Sequence, residues 1–340
     1  MKLIALLAGL LIERLATQLF HLRQLRWLDG IIDSGFRRAS DVGAVPPIAA
    51  VALLAGCLVL PLLVVLMAFD DLIFDLAYLL IAVVVLFFSL GPEDIGEQVD
   101  DYCEAVEQDD EAAIQRTATT LLEHQAPESA DERIRAVEEA VCVQANNRLF
   151  AVIFWFVLLG PLGAWAYRVV DLIRRRAVFT AARSDDLADN DVDTASDAES
   201  AADATDATDA ADAADAADAG IAAAERSAAN YADAAATLHG WIVWIPARLT
   251  ALGYALAGNF DGAIAAWRSP ESDASLSPRE ESETLLARVG TAALALSRRD
   301  GEGDAERAIR GASAANGLVF RLLGIWAVGI AAMTLYGWFG

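Results

Sequence analysis

Residues 241–259 read Trp-Ile-Val-Trp-Ile-Pro-Ala-Arg-Leu-Thr-Ala-Leu-Gly-Tyr-Ala-Leu-Ala-Gly-Asn, apolar on both sides of one proline and one arginine. Pro246 has no backbone N–H and a fixed φ, which suits the first position of a helix. The spacing therefore predicts a helix from Pro246 to Ala257, stopped by Gly258-Asn259. Trp241 and Trp244 precede it, where amphipathic rings settle at a membrane–water boundary. Arg248 is the only formal charge in the stretch. Two readings of it stand open: a snorkelling anchor on lipid phosphates, or a grip on an anionic ligand or a buried carboxylate.

Outside this stretch the same apolar character recurs in long runs. The chain has 340 residues, 56% of them hydrophobic, a mean hydropathy of +0.39 and a net charge of −24. Such acidity and such hydropathy coexist only when the two kinds of residue are segregated, as in a polytopic, all-α helical membrane protein with amphipathic polar helices. Lys2 is the single lysine, so the chain contains no phosphate loop of the G-x-x-x-x-G-K-[ST] type and no internal Schiff-base lysine. Strong acidity argues against nucleic acid as a partner. Cys57, Cys103 and Cys142 show no metal-binding spacing, and His21, His124 and His239 are scattered. We expect neither metal nor cofactor, and no catalytic set is legible.

The chain divides by composition into seven segments. Residues 1–44 form an amphipathic, membrane-associated helix and a basic segment, with Glu13 and Arg14 following a ten-residue apolar run. Those two side chains are either the end of a wet face or polar groups held inside a bundle. Residues 45–90 form a transmembrane hairpin whose first run, Val45–Phe69, is 25 residues without a charge. Arg23, Arg26, Arg37 and Arg38 precede it, which predicts a cytoplasmic start. Residues 91–148 are an acidic helical segment, expected in the cytoplasm, with 16 acids between Glu93 and Glu139. It reads as two or three amphipathic helices with a solvated acidic face.

Residues 149–183 hold a 19-residue uncharged run, Leu149–Tyr167, broken by Gly160-Pro161 and followed by Arg168, Arg174, Arg175 and Arg176. Simple crossings would place those arginines outside. Either the Gly-Pro break turns the segment back, or the region around Trp241 supplies a compensating crossing. Residues 184–220 hold 12 Asp and Glu199 in an Ala-rich repeat with no apolar face, expected to be a disordered or loosely helical linker. Residues 221–311 form a helical region in which the Trp-Ile-Pro-Ala-Arg-Leu stretch is expected as an interfacial helix, and residues 312–340 a final transmembrane helix.

Several fragments carry a resemblance. They are Glu13-Arg14-Leu15, Asn147-Arg148-Leu149-Phe150-Ala151-Val152, Gly160-Pro161-Leu162-Gly163, and Trp244-Ile245-Pro246-Ala247-Arg248-Leu249 followed by Gly258-Asn259-Phe260. In this order and spacing the sequence resembles the AmpE family of bacterial inner-membrane proteins, related to the CobD/CbiB cobalamin-biosynthesis family. The resemblance implies a multi-pass inner-membrane protein with a regulatory or signalling role in β-lactamase induction and cell-wall recycling. It also implies a functional link to a cytoplasmic muropeptide amidase. The alternative it opens is a membrane amide-bond synthase of the cobalamin type. In that enzyme pattern acids stand where Val143 and Asn147 stand here, and its Asn-Thr-Leu-Asp and Pro-Asn-Gly blocks are absent. The regulatory reading therefore comes first. Its partners are the lipid bilayer and an anionic small ligand, a muropeptide or a nucleotide. The candidate ligand residues are Arg248, Trp244, Glu139, Asn147, Glu13 and Arg14.

Overall fold

The computed structural model describes residues 25, 27–42, 45–69, 75–90, 94–198, 207–269, 276–297 and 299–336. The described residues are helical and contain no strand, so the protein is an all-α helical membrane protein. Among the described residues twelve α-helices run in order: α1 Trp27–Val42, α2 Pro47–Phe69, α3 Asp75–Ser89, α4 Ile95–Glu107, α5 Glu111–Leu122, α6 Ala130–Ala145, α7 Ala151–Leu159, α8 Pro161–Ala198, α9 Ala207–Ala257, α10 Phe260–Arg268, α11 Pro278–Leu294 and α12 Asp304–Leu335. A π-helical turn, Asn146–Phe150, joins α6 to α7. Among the described residues three helical stretches are long and apolar enough to cross a membrane: Pro47–Met67, Ala130–Leu159 and Asp304–Leu335. Glu13 and Arg14, and the N-terminal helix expected around them, lie outside the described residues.

The chain separates into two compact units, one from residues 61–168 and 240–340, the other from 25–60 and 169–239. In the first, α4, α5 and α6 turn their helical-period stripes inward. Val99, Tyr102, Ile114, Leu121, Ile134, Val137 and Val141 meet Ala251 and Tyr254 of α9, Leu286 and Val289 of α11, and Leu318 and Leu322 of α12. Short polar side chains start these helices. Asp94 and Asp110 accept from the backbone N–H of Gly96 and Ala113 at 3.0 Å. Ser277 and Glu280 exchange side-chain bonds in a capping box ahead of α11, with Pro278 in its first turn. A second apolar cluster joins Ala82 and Leu86 of α3, Ile153 and Phe156 of α7, Val243 of α9 and Ile330 of α12.

In the other unit, Leu28, Ile32 and Phe36 of α1 are buried, and Phe36 stacks on Tyr231. Arg176 grips both oxygens of Asp33, a hydrogen-bonded pairing that lowers the Asp33 pKa. Asp171 is buried beneath Arg174 and Arg175, with His239 Nε2 at 3.8 Å.

The Gly160-Pro161 break is a true reversal. Gly160 has φ +70°, which glycine alone adopts freely, and α8 opens at Pro161. A Cβ added to Gly163 would lie 2.3 Å from the Trp155 carbonyl oxygen. In a continuous helix those residues would stand roughly 12 Å apart along the axis. The chain folds back on α7, as the turned-back reading of this segment expects.

Three expectations need correction. Pro246 does not open a helix; it lies inside the 51-residue α9. Its missing N–H would orphan the Ile242 carbonyl, and the Trp155 indole donates to that oxygen at 3.0 Å. The last helix starts at Asp304 rather than near Ala312, because Asp304 and Glu306 occupy its first turn, where carboxylates suit the helix dipole. The acidic segment does not end before the Gly-Pro-broken helix; α6, the π turn and α7 are one continuous helical run. Alanine's high helix propensity also carries α8 to Ala198 and lets α9 start at Ala207, within the Asp/Ala sequence.

Candidate functional site

Two groups of polar residues in the first unit stand out, one at the π turn and one on the neighbouring face of α9. The turn displaces the backbone hydrogen bonds of its helix. Asn146 N–H points to the Val143 carbonyl, and Ala151 N–H points to the Asn146 carbonyl. The carbonyls of Cys142 and Asn147 thereby lose their usual donors. Two buried tyrosines replace them: Tyr254 donates to Cys142 O at 2.7 Å, and Tyr167 to Asn147 O at 2.9 Å.

Side chains complete the pattern. Asn146 is buried; its amide donates to the Asn147 side chain at 3.0 Å and its oxygen accepts from Thr250 at 2.9 Å. The Asn147 amide reaches Glu283 at 3.5 Å, and Arg279 holds that carboxylate at 2.7 Å. Arg148, also buried, uses all three guanidinium nitrogens: Nε to Gln144 at 3.1 Å, Nη1 to Gln98 at 2.9 Å and Nη2 to Glu123 at 3.1 Å. A guanidinium so enclosed holds α4, the end of α5 and the α6–α7 run in one register.

The second group is more open. Arg248 lays its guanidinium over the Trp244 ring, 3.8 Å from the centroid. Nη1 donates to the Trp244 carbonyl at 3.2 Å and Nη2 to Glu281 at 2.6 Å. The Glu281 side chain is 55% exposed, against 21% for Arg248. Partial burial lowers the Arg248 pKa and Glu281 opposes that shift, leaving the group cationic at any physiological pH. Tight helix packing sets this geometry. A Cβ at Gly240 would lie 2.6 Å from Arg279 N, and one at Gly258 2.5 Å from Ala293 O, so α11 lies close along α9 and presents Glu281 to Arg248.

Of the candidate residues, Arg248 and Trp244 are therefore in contact, while Asn147 belongs to the π-turn network and Glu139 is half-buried two turns before it on α6. Glu281 serves one group and Glu283 the other, from the first turns of the same helix. Sequence reasoning missed Arg148, Gln98, Gln144, Glu123 and Glu281. The available signal was Arg148 itself, a charge at the threshold of a 19-residue uncharged run.

The family described as "Regulatory signalling modulator protein AmpE" matches residues 1–195. The chain belongs to the AmpE family. The part matched to AmpE includes the π turn and the Gly160 reversal and ends before Trp244 and Arg248. A cobalamin biosynthesis protein CobD from Stutzerimonas stutzeri (strain A1501) is 22% identical over 188 residues, 55% of this chain and 48% of that protein. The AmpE-family chain thus aligns with about half the length of its CobD relative. No solved structure matches it.

Proposed function

We propose that this AmpE-family protein is a multi-pass regulatory protein of the bacterial inner membrane, linked to β-lactamase induction and cell-wall recycling. In this reading it senses an anionic small ligand, a muropeptide or a nucleotide, at Arg248 and Trp244, and acts in concert with a cytoplasmic muropeptide amidase. The observation that carries it is the Arg248 pairing. A stacked, oriented guanidinium meets a carboxylate that is itself more than half exposed. A ligand carboxylate or phosphate can take the place of Glu281 with the same bidentate-capable donor and no new buried charge. Exposed ion pairs contribute roughly 0–1 kcal/mol, so the exchange is energetically easy.

The π-turn group supports regulation over synthase chemistry. At the positions where the related enzymes carry acids, Asn147 bonds Asn146 and Glu283, and Val143 carries no ionisable group. Neighbouring Gln144 accepts from Arg148. These side chains tie helices together.

The test is β-lactamase induction in cells expressing Arg248→Ala, Arg248→Lys or Glu281→Gln, with membrane abundance measured in parallel. Both Arg248 variants are expected to impair induction at normal abundance, and Glu281→Gln to enhance it by freeing the guanidinium. Full induction with Arg248→Lys would reduce Arg248 to a snorkelling anchor. Rescue of a strain lacking adenosylcobinamide-phosphate synthase would instead favour the enzymatic reading.

A further inference from the structure

The contacts of the first unit bring four helical stretches to one level. Phe150, at the start of α7, meets Trp326 of α12 with ring centroids 5.8 Å apart, and Ile153 and Phe156 cluster with Ile330. The two candidate membrane-crossing stretches of this unit therefore run side by side in the same direction. α9 runs against them: Tyr254 meets Cys142, Thr250 meets Asn146, and Ile242 meets Trp155. α11 follows the direction of α9. A Cβ at Gly290 would lie 2.5 Å from Cys142 Sγ, Glu283 reaches Asn147 at 3.5 Å, and Arg279 stands against Gly240. Residues 278–290 of α11 thus lie at the level of residues 142–155 of the crossing run.

Two rims of the unit differ sharply at that level. Val328 of α12, between Trp326 and Ile330, is 71% exposed. Residues 278–290 instead carry five charges, Arg279, Glu280, Glu281, Glu283 and Arg288, with Glu280 and Glu281 exposed. Hydrocarbon suits the first rim and is a costly surrounding for the second. Ion pairing leaves much of that cost standing, since the carboxylates paired with Arg248 and Arg279 keep 55% and 25% of their side-chain surface exposed. α11 also begins at this depth, behind the Ser277–Glu280 capping box. A helix end at membrane depth stands where protein or water surrounds its backbone.

We infer that the charged flank of α11 lines a water-filled recess in the membrane-embedded part of this unit, and that a small hydrophilic anion enters it to reach Arg248. The guanidinium on the Trp244 ring forms one wall and Glu281 faces it. The ligand then arrives from water and not through the lipid. This route rests on the reading of Arg248 as an anion grip; the recess follows from the levels of the helices alone.

The experiment uses the full chain, with Cys57 and Cys103 replaced by alanine and Cys142 left fully buried, in lipid nanodiscs that open both aqueous faces. Single cysteines are introduced as Glu281→Cys, Val328→Cys and, on the exposed end of α4, Glu107→Cys. A methanethiosulfonate reagent bearing a sulfonate is the probe, with labelling read by mass spectrometry. Position 281 is expected to react at a rate close to that of 107, and position 328 far more slowly. Glu280→Cys repeats the measurement at a neighbouring exposed site, so loss of one variant leaves the test intact. Position 281 or 280 as slow as 328, or 328 as fast as 281, would overturn the recess. Adding Arg248→Gln to Glu281→Cys should slow the sulfonate reagent several-fold and leave a trimethylammonium reagent unslowed; equal effects on both would overturn the anion route. Labelling is read without β-lactamase induction, so failure here and failure of the regulatory reading are distinguishable.

Discussion

Arg148 and Arg248 both stand beside apolar helical sequence, and the fold treats them in opposite ways. Arg148 is enclosed, with three nitrogens committed to Gln144, Gln98 and Glu123. Arg248 rests on a tryptophan face and shares one nitrogen with an exposed carboxylate. A charge whose every guanidinium nitrogen is bonded inside the fold is a structural tie. A charge held in orientation with an exchangeable partner is suited to recognition. The difference lies in the partners, since both are arginines adjoining a long apolar stretch.

The largest expected effect falls on the enclosed arginine. Arg148→Ala removes the donor to three acceptors at once, two of them on buried glutamines, at roughly 1–3 kcal/mol for each buried bond lost. Thermal unfolding in detergent should show a large loss, and Arg148→Lys should restore little of it, since a point charge cannot serve three acceptors in a plane. A neutral Arg148→Ala would erase the contrast between the two sites.

The helix that carries Arg248 offers the next effect. Trp155→Phe leaves the Ile242 carbonyl without its indole donor, at a cost of about 1–3 kcal/mol. Pro246→Ala supplies a backbone N–H for the same oxygen, so Trp155→Phe should cost less in that background. A double-mutant cycle measures the coupling, and strict additivity would mean that Trp155 does not compensate the proline.

Arg248→Ala should lower stability by only about 1 kcal/mol or less, the range of exposed ion pairs and cation–π contacts, while induction falls. A stability loss as large as that of Arg148→Ala would make Arg248 a second structural tie.

The smallest effect is a pH dependence on α4, one turn beyond Gln98. Burial raises the Tyr102 hydroxyl from its ordinary value of 10.0 to about 12. The unfolded chain releases this proton first, so the contribution is fully present below pH 10 and is lost as pH rises from there toward 12. Tyr102→Phe should flatten that part of the alkaline unfolding curve, and an unchanged curve would show that Tyr102 does not contribute.

Much of the helical plan was readable from local signals. Gly258-Asn259 stops α9 at Ala257 as expected, and Asn259 caps the next helix, Phe260–Arg268. Gly160-Pro161 marked a break because each residue limits the backbone by itself. Pro246 misled for the same reason. Its local cost points to a helix start, and its compensation comes from an indole 87 residues from the Ile242 carbonyl it serves. The π turn left no periodic trace, because one displaced hydrogen bond scarcely alters which residues face the core.

The sequence by itself determined the all-helical class, the long uncharged runs and the family resemblance, since hydrophobic periodicity and chain-breaking residues act within a few positions. Only the tertiary structure decided which polar groups beside those runs are enclosed and which stay exchangeable. Arg148 is closed by Gln98, 50 residues earlier, and Glu123, 25 residues earlier, whereas Arg248 meets Glu281, 33 residues later. Hydrogen-bond satisfaction is a property of space, and the helical period carries no record of partners that far along the chain.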